Sequence, residues 1–274
     1  MKIMNSSHKQ SPSFTSTRLS GIINTANDCS TIHACHYTNL ARKDYNWEKL
    51  PALLYDRFEK QGMTNINFYG GSDGSDAYTF VINAIRTLGA KAKKFFPVLS
   101  SDLSPSIIKE ADESKIFLHN RDIEYLKNLD ALKYFEKNNQ EDVQIMSGIE
   151  FFPYKVKPEL RDKVEFSVQD IRKAVMQKDF ADSALFFRNG WGFNKLDEQN
   201  NIAKDLYEHS NAKTIIGIGQ SDLYKSDASD SLQRNGFKGI KTEVFTNAET
   251  DYPAVYAGTP KTKPVYEQFV FFEK

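Results

Sequence analysis

The chain has 274 residues, with 36 basic side chains balanced by 36 acidic ones. That balance excludes a broad electrostatic hold on nucleic acid or on an anionic membrane. With 40 % apolar residues, among them 20 Phe, the chain can bury the core of one α/β domain with additions.

No apolar run nears the ~20 residues of a membrane helix, and the first ten residues lack the apolar centre of a signal peptide. Two cysteines make no disulfide scaffold. The expectation is a cytoplasmic protein with no membrane insertion.

Residues 1–20, rich in Ser, Thr and Lys, read as a flexible terminus. Residues 21–62 read as a helical segment. Cys29, His33, Cys35 and His36 gather there, and on a helix positions 29, 33 and 36 would share a face, as zinc ligands do. No second ligand pair follows, so the reading is packing, and no metal is expected. From Thr38 to Lys60, Trp47, Leu50, Leu53, Leu54 and Phe58 form an apolar helical stripe that Pro51 breaks or restarts.

Residues 63–274 read as one Rossmann-like α/β domain. It opens on Ile66, Phe68 and Tyr69, which are strand formers. Gly70, Gly71 and Gly74 then let the backbone turn sharply and approach a ligand. Tyr78, Val81, Ala84, Ile85 and Leu88 follow at helical spacing, predicting a helix over 75–88. A strand, a glycine turn and a helix make the nucleotide-cradling corner of a doubly wound sheet.

Such a helix start normally favours anions. Here it carries Asp73 and Asp76 without Lys or Arg, so a pyrophosphate would be repelled and a cationic ligand would not. This argues against a dinucleotide oxidoreductase. A second strand, 94–101, leads to Asp102, an acid placed to accept hydrogen bonds from both ribose hydroxyls of an adenosine. Asp102-Leu-Ser104-Pro105 also reads as a helix cap.

An insertion at about 115–162 holds an amphipathic helix (Ile123, Leu126, Leu129, Leu132, Phe135) and a strand pair or hairpin over 143–156. The hairpin edge offers a partner a strand to pair with, or is simply an edge. Further strands end at Asp170, at Arg188-Asn189 and at Gly219; the last, Thr214–Gly219, is apolar enough for a central parallel strand. The tail from 237 reads as antiparallel strands. The fold class is thus a doubly wound, parallel α/β sheet with an antiparallel C-terminal edge. Its polar residues collect at the carboxyl ends of the strands, where such sheets bind ligands.

In order and spacing, Thr38-Asn-Leu40, Gly74-Ser-Asp76-Ala-Tyr78, Ser101-Asp102-Leu103, Tyr134-Phe135, Val164-Glu-Phe166, Asp170-Ile171, Phe187-Arg188-Asn189 and Gly219-Gln-Ser-Asp222 resemble the chemotaxis receptor glutamate methyltransferases. These are class I enzymes dependent on S-adenosylmethionine, with S-adenosylhomocysteine as product. The resemblance implies that Gly70, Gly71 and Gly74 admit the methionine part of the cofactor and that Asp76 takes its ammonium.

It further implies that Asp102 and Leu103 meet the ribose, that Asp170 and Ile171 meet the adenine, and that Asn189 lines the methyl site. The acceptor would be a protein or a small molecule, and by the resemblance a protein carboxylate, held by Arg42 or Arg188, with Tyr45, Trp191 or Phe193 walling the pocket. Two departures stand out. Tyr45 falls where the family carries an arginine, and Phe193 where it carries a tyrosine. Arg42, three residues before Tyr45, would share its face on a helix. The alternative function is therefore a catalytically altered cofactor-binding or protein-interaction module.

Overall fold

The computed structural model describes residues 39–42, 45–146, 148–177, 179–188, 190–191, 194–219, 222–223, 226–240 and 271–274. The proposed flexible terminus, the Cys29–His36 cluster and Thr38 lie outside them, as do Asn189, Phe193, Gln220 and Ser221.

The main sheet contains β1 (Asn65–Tyr69), β2 (Val98–Asp102), β7 (Val164–Val168), β8 (Ser183–Phe187), β9 (Ile215–Ile218), β10 (Lys238–Gly239) and β11 (Phe271–Glu273). Its order is β10-β11-β9-β8-β1-β2-β7. The strands from β9 through to β7 pair in parallel, and β11 lies antiparallel to both β9 and β10. The antiparallel pair β10–β11 thus lies at the sheet edge that the sequence suggested for the tail. Phe271 and Phe272 are both fully buried, which requires cover on both faces of the strand.

β8 and β9 are buried at every position, and the stacked Phe68–Phe186 pair joins β1 to β8 with ring centroids 4.7 Å apart. These strands form the sheet centre because apolar side chains on both faces need a helical layer on each side.

One layer includes α1 (Leu50–Arg57) and α2 (Ser75–Leu88); after β2 the chain forms α3 (Pro105–Asp112). The other includes α6 (Ile171–Gln177), α7 (Leu196–Glu208) and α8 (Ala228–Arg234). Among the described residues, the predicted helical stripe from Thr38 is helical from Leu50, with Pro51 in the first turn. A proline deeper in a helix would remove a hydrogen bond and clash with the preceding turn.

Between α3 and β7 the chain builds a second sheet from β3 (Lys115–His119), β4 (Phe135–Lys137), β5 (Gln144–Met146) and β6 (Ile149–Val156). β6 pairs antiparallel with the other three, and β5 and β6 form a hairpin. α4 (Asn120–Asn128) lies between β3 and β4, and α5 (Pro158–Arg161) leads back to β7. The stripe running to Phe135 outlasts the helix. Asp130 takes a left-handed conformation (φ 51°), which ends it. Asn83 Nδ2 of α2 donates to Tyr125 Oη of α4 at 2.7 Å, tying the inserted unit to the helix that follows the glycine bend.

Candidate functional site

Beyond Tyr69 the chain bends through Gly70 (φ 71°) and Gly74 (φ 87°), left-handed positions that suit glycine. Gly71 is constrained by proximity instead: a Cβ there would stand 2.2 Å from Ser100 Oγ on β2. The bend therefore lies down on β2, and the Gly71 N–H donates to the Ser101 carbonyl at 2.9 Å.

This contact brings Asp102 under the bend. Its Oδ2 accepts the Ser72 N–H at 3.2 Å, and its Oδ1 accepts the Ser104 N–H at 3.0 Å. Burial raises the Asp102 pKa above the ordinary value, against the lowering effect of those donors. The Leu103 N–H also donates to this carboxyl. Two carboxylate oxygens offer about four acceptor sites between them, so three N–H groups leave capacity for a hydroxyl.

The two acids of the bend divide their work. Asp73 turns back on its own helix, and its Oδ1 accepts the Ser75 N–H at 3.0 Å and the Ser75 hydroxyl at 2.7 Å. It thereby caps α2 in place of Gly74, which has no side chain to do so. Asp76 faces β8, where its Oδ2 lies 3.4 Å from Arg188 Nη1; the two side chains are only 6 % and 8 % exposed. The Arg188 N–H continues the strand ladder to the Tyr69 carbonyl at 3.0 Å, so the end of β8 fixes where the guanidinium begins. Asp76 Oδ1 is buried and has no hydrogen-bond partner among the described residues. A carboxylate oxygen without a donor in the interior is costly, and a cationic N–H group is the partner that relieves it.

Asp170 sits beyond β7, and its carboxylate gathers Arg172. Oδ1 accepts the backbone N–H and Nε, each at 3.0 Å, while Oδ2 accepts Nη2 at 2.8 Å. Hydrogen bonding to Arg172 holds the Asp170 pKa below the ordinary carboxylate value. Ile171 is buried, and Leu103 packs half-buried against the same core as Tyr69 and Trp191. The carboxyl ends of β1, β2, β7 and β8 thus carry Gly70 to Gly74, Asp102, Asp170 and Arg188.

Arg42 and Tyr45 do not share a helical face, because the chain is non-helical at both. Tyr45 is buried in the main core, its ring 5.1 Å from Trp47, 5.4 Å from Phe186 and 5.2 Å from Phe271. Arg42 donates from Nε to the Asn39 carbonyl at 3.2 Å, and its own carbonyl accepts the Trp47 indole N–H at 2.7 Å. Trp191 is almost fully buried, edge-on to Phe187 at 5.9 Å.

Sequence reasoning missed Asp122, in the first turn of α4. Its Oδ2 accepts the His119 N–H at 2.9 Å, and the Leu40 N–H also donates to the carboxyl. The His119–Asp122 spacing is that of a capping box, the one cue to its position. Burial pushes this carboxyl up to about 7; Arg42 opposes the rise and Asp73 adds to it.

The folded chain therefore holds a proton that the unfolded chain releases near the ordinary value of 3.8. The stability this contributes is fully present below that value and is lost as pH climbs through about 7. Asp122→Asn is expected to remove the slope. In denaturant unfolding between pH 4 and 8, the variant should gain on the wild type up to about pH 7 and run parallel above it. A difference independent of pH would contradict the assignment.

The fold and these contacts can be set beside known proteins. The family model described as CheR methyltransferase, SAM binding domain, matches residues 36–237. No curated protein matches.

Among solved structures, the mitomycin 7-O-methyltransferase MmcR is similar at 10 % identity and TM-score 0.41, over 83 % of this chain. The chain spans 56 % of that enzyme's length. A Synechocystis magnesium protoporphyrin IX methyltransferase with bound SAM is similar at 13 % identity and TM-score 0.40, covering 89 % of this chain and 93 % of that one. A TehB-like SAM-dependent methyltransferase from Corynebacterium glutamicum gives 13 % identity and TM-score 0.38, covering 94 % and 95 %. With the family match spanning most of its length, the chain belongs to the CheR methyltransferase family and carries that family's S-adenosylmethionine-binding domain.

Proposed function

We propose that the chain is an S-adenosylmethionine-dependent methyltransferase acting on a carboxylate acceptor, and that the glycine bend holds the cofactor. The observation that carries this reading is the buried Oδ1 of Asp76 at the head of α2, which has no donor among the described residues. It fits an ammonium, while its partner oxygen is occupied by Arg188. S-adenosylmethionine supplies the methyl group as an electrophile on a sulfonium.

The chain supplies position, which is most of what an in-line displacement requires. Gly70, Gly71 and Gly74 let the backbone approach the amino-acid moiety, and Asp76 fixes its ammonium. Asp102 offers its remaining acceptor capacity to the ribose. Leu103 accompanies Asp102 at the ribose, Asp170 and Ile171 would meet the adenine, Asn189 the methyl site, and Phe193 the acceptor pocket. Arg188 or Arg42 would hold an acceptor carboxylate, which needs its charge held and no general base.

Asp102→Ala is expected to abolish detectable binding of S-adenosylmethionine and S-adenosylhomocysteine in calorimetry. It removes the ribose acceptor and strips the Ser72 N–H of this partner, at about 1–3 kcal/mol for a buried donor left without one. Wild-type binding of NAD in place of the adenosyl compounds would overturn the reading. Transfer of radiolabelled methyl groups into carboxylate acceptors then tests turnover.

A second reading, a cofactor-binding module without turnover, is favoured by two placements. Arg188 is already committed to Asp76, and Tyr45 packs in the core where the family's arginine would be. Cofactor binding with no labelled acceptor would select it.

A further inference from the structure

Gly190 lies in the loop that Arg188 opens after β8, and both of its backbone polar groups are held by buried side chains. Its N–H donates to Asp222 Oδ2 at 2.9 Å, and its carbonyl accepts Asn194 Nδ2. The Asn194 carbonyl accepts Gln199 Nε2 at 2.9 Å, and Gln199 Oε1 accepts the Asp227 N–H at 2.9 Å. Asp222, Asn194 and Gln199 are 0 %, 8 % and 6 % exposed.

These groups come from the helical residues Asp222 and Leu223 that follow β9, the loop before α7, and α7 itself. The Asp222 N–H is bonded to the Gly219 carbonyl at 2.9 Å, and the Gly219 N–H to the Phe187 carbonyl at 2.8 Å, so the acid stands on the sheet rather than on a free loop. Keeping a carboxylate in the interior is expensive, and a polar network satisfied at each link imposes one conformation on what it holds. The backbone thus clamped carries Arg188 at one end, paired with Asp76, and Trp191 at the other, packed edge-on against Phe187.

We infer that Asp222, acting with Asn194 and Gln199, is the positioning residue for Gly190 and, through it, for Arg188 and Trp191, and sets the acceptor-side wall of the cofactor site. Asp222 touches no reacting atom. It works through the Gly190 backbone, keeping Arg188 against Asp76 and Trp191 against Phe187. The inference rests on the proposed reading of the site as a cofactor site.

The test uses the full chain and three measurements: S-adenosylhomocysteine affinity by calorimetry, thermal midpoint, and Trp191 emission, isolated by subtracting the spectrum of Trp191→Phe. Asp222→Ala is expected to weaken affinity at least fivefold and to move Trp191 emission to longer wavelength. Asp222→Asn is expected to restore most of both, because an amide oxygen still accepts the Gly190 N–H.

Gly236→Ala serves as the control for a purely structural loss. Gly236 has φ 102°, and a Cβ there would stand 2.8 Å from the Tyr207 ring, away from the loop. At temperatures well below its midpoint this variant should keep wild-type affinity and emission. Should Asp222→Ala fail to fold, Asn194→Ala, which frees the Gly190 carbonyl, carries the same outcomes.

A folded Asp222→Ala with wild-type emission and affinity would overturn the inference. So would equal losses of affinity in Asp222→Ala and Gly236→Ala. A wild type that binds no S-adenosylhomocysteine would instead sink the cofactor reading, and Trp191 emission would still decide whether Asp222 positions the loop.

Discussion

Replacing Asp76 with asparagine should weaken S-adenosylmethionine binding by roughly 10- to 100-fold while leaving the fold intact. A hydrogen bond to a charged group in the interior is worth about 1.5–3 kcal/mol, and each 1.4 kcal/mol is about tenfold in affinity. Asparagine keeps the shape and one acceptor oxygen for Arg188 Nη1, so the guanidinium retains a partner. Alanine removes both the ammonium site and the Arg188 contact. Breaking a buried pair from one side costs about 3–5 kcal/mol, so Asp76→Ala should lose stability as well as affinity. Calorimetry and denaturant unfolding on the two variants separate the effects. If both variants lost stability alike and neither lost affinity, Asp76 would be only an ion-pair partner.

Gly74→Ala should be the most destabilising single-methyl change in the bend. Its φ of 87° is one that alanine resists, and the added Cβ would stand 2.6 Å from the Phe166 ring on β7. The left-handed conformation costs about 1–2 kcal/mol, and overpacking a core adds about 1–3 kcal/mol. Phe166 has little room to retreat, since Arg161 lies over it at 4.9 Å and Tyr78 packs against it edge-on at 6.1 Å. Chemical unfolding should show a loss of about 2–5 kcal/mol, the sum of those two ranges. Gly71→Ala meets only the Ser100 hydroxyl, which can rotate, and should cost less. The reverse ranking would mean that the bend is held by β2 and not by Phe166.

Much of this arrangement is local and therefore legible in the chain itself. Ile66, Phe68 and Tyr69, then three glycines, then helical spacing from Tyr78 define β1, the bend and α2, and the observed helix spans Ser75–Leu88. The all-apolar run Ile215–Ile218 marks a strand buried on both faces. The class of fold follows from such stretches.

The failures are the long-range ones. Lys115–His119 carries only three consecutive apolar residues, and it is a strand because β6, more than thirty residues on, pairs with it. The Leu129, Leu132 and Phe135 spacing continues a helical phase by coincidence across a turn and into β4. Asp76 and Arg188 are each readable as strand-end residues, but their pairing spans 112 positions. Asp122 reaches the bend's neighbourhood only because the inserted unit folds back on α2 and the segment at Leu40.

The most direct measurement is a cycle of two proteins and two ligands: wild type and Asp76→Asn, each titrated with S-adenosylhomocysteine and with its analogue bearing hydrogen in place of the amino group. If Asp76 Oδ1 receives the ammonium, the wild type should prefer the amine-bearing ligand by roughly 10- to 100-fold, and the variant should show almost no preference. Equal preference in both proteins would place the ammonium elsewhere and contradict the account.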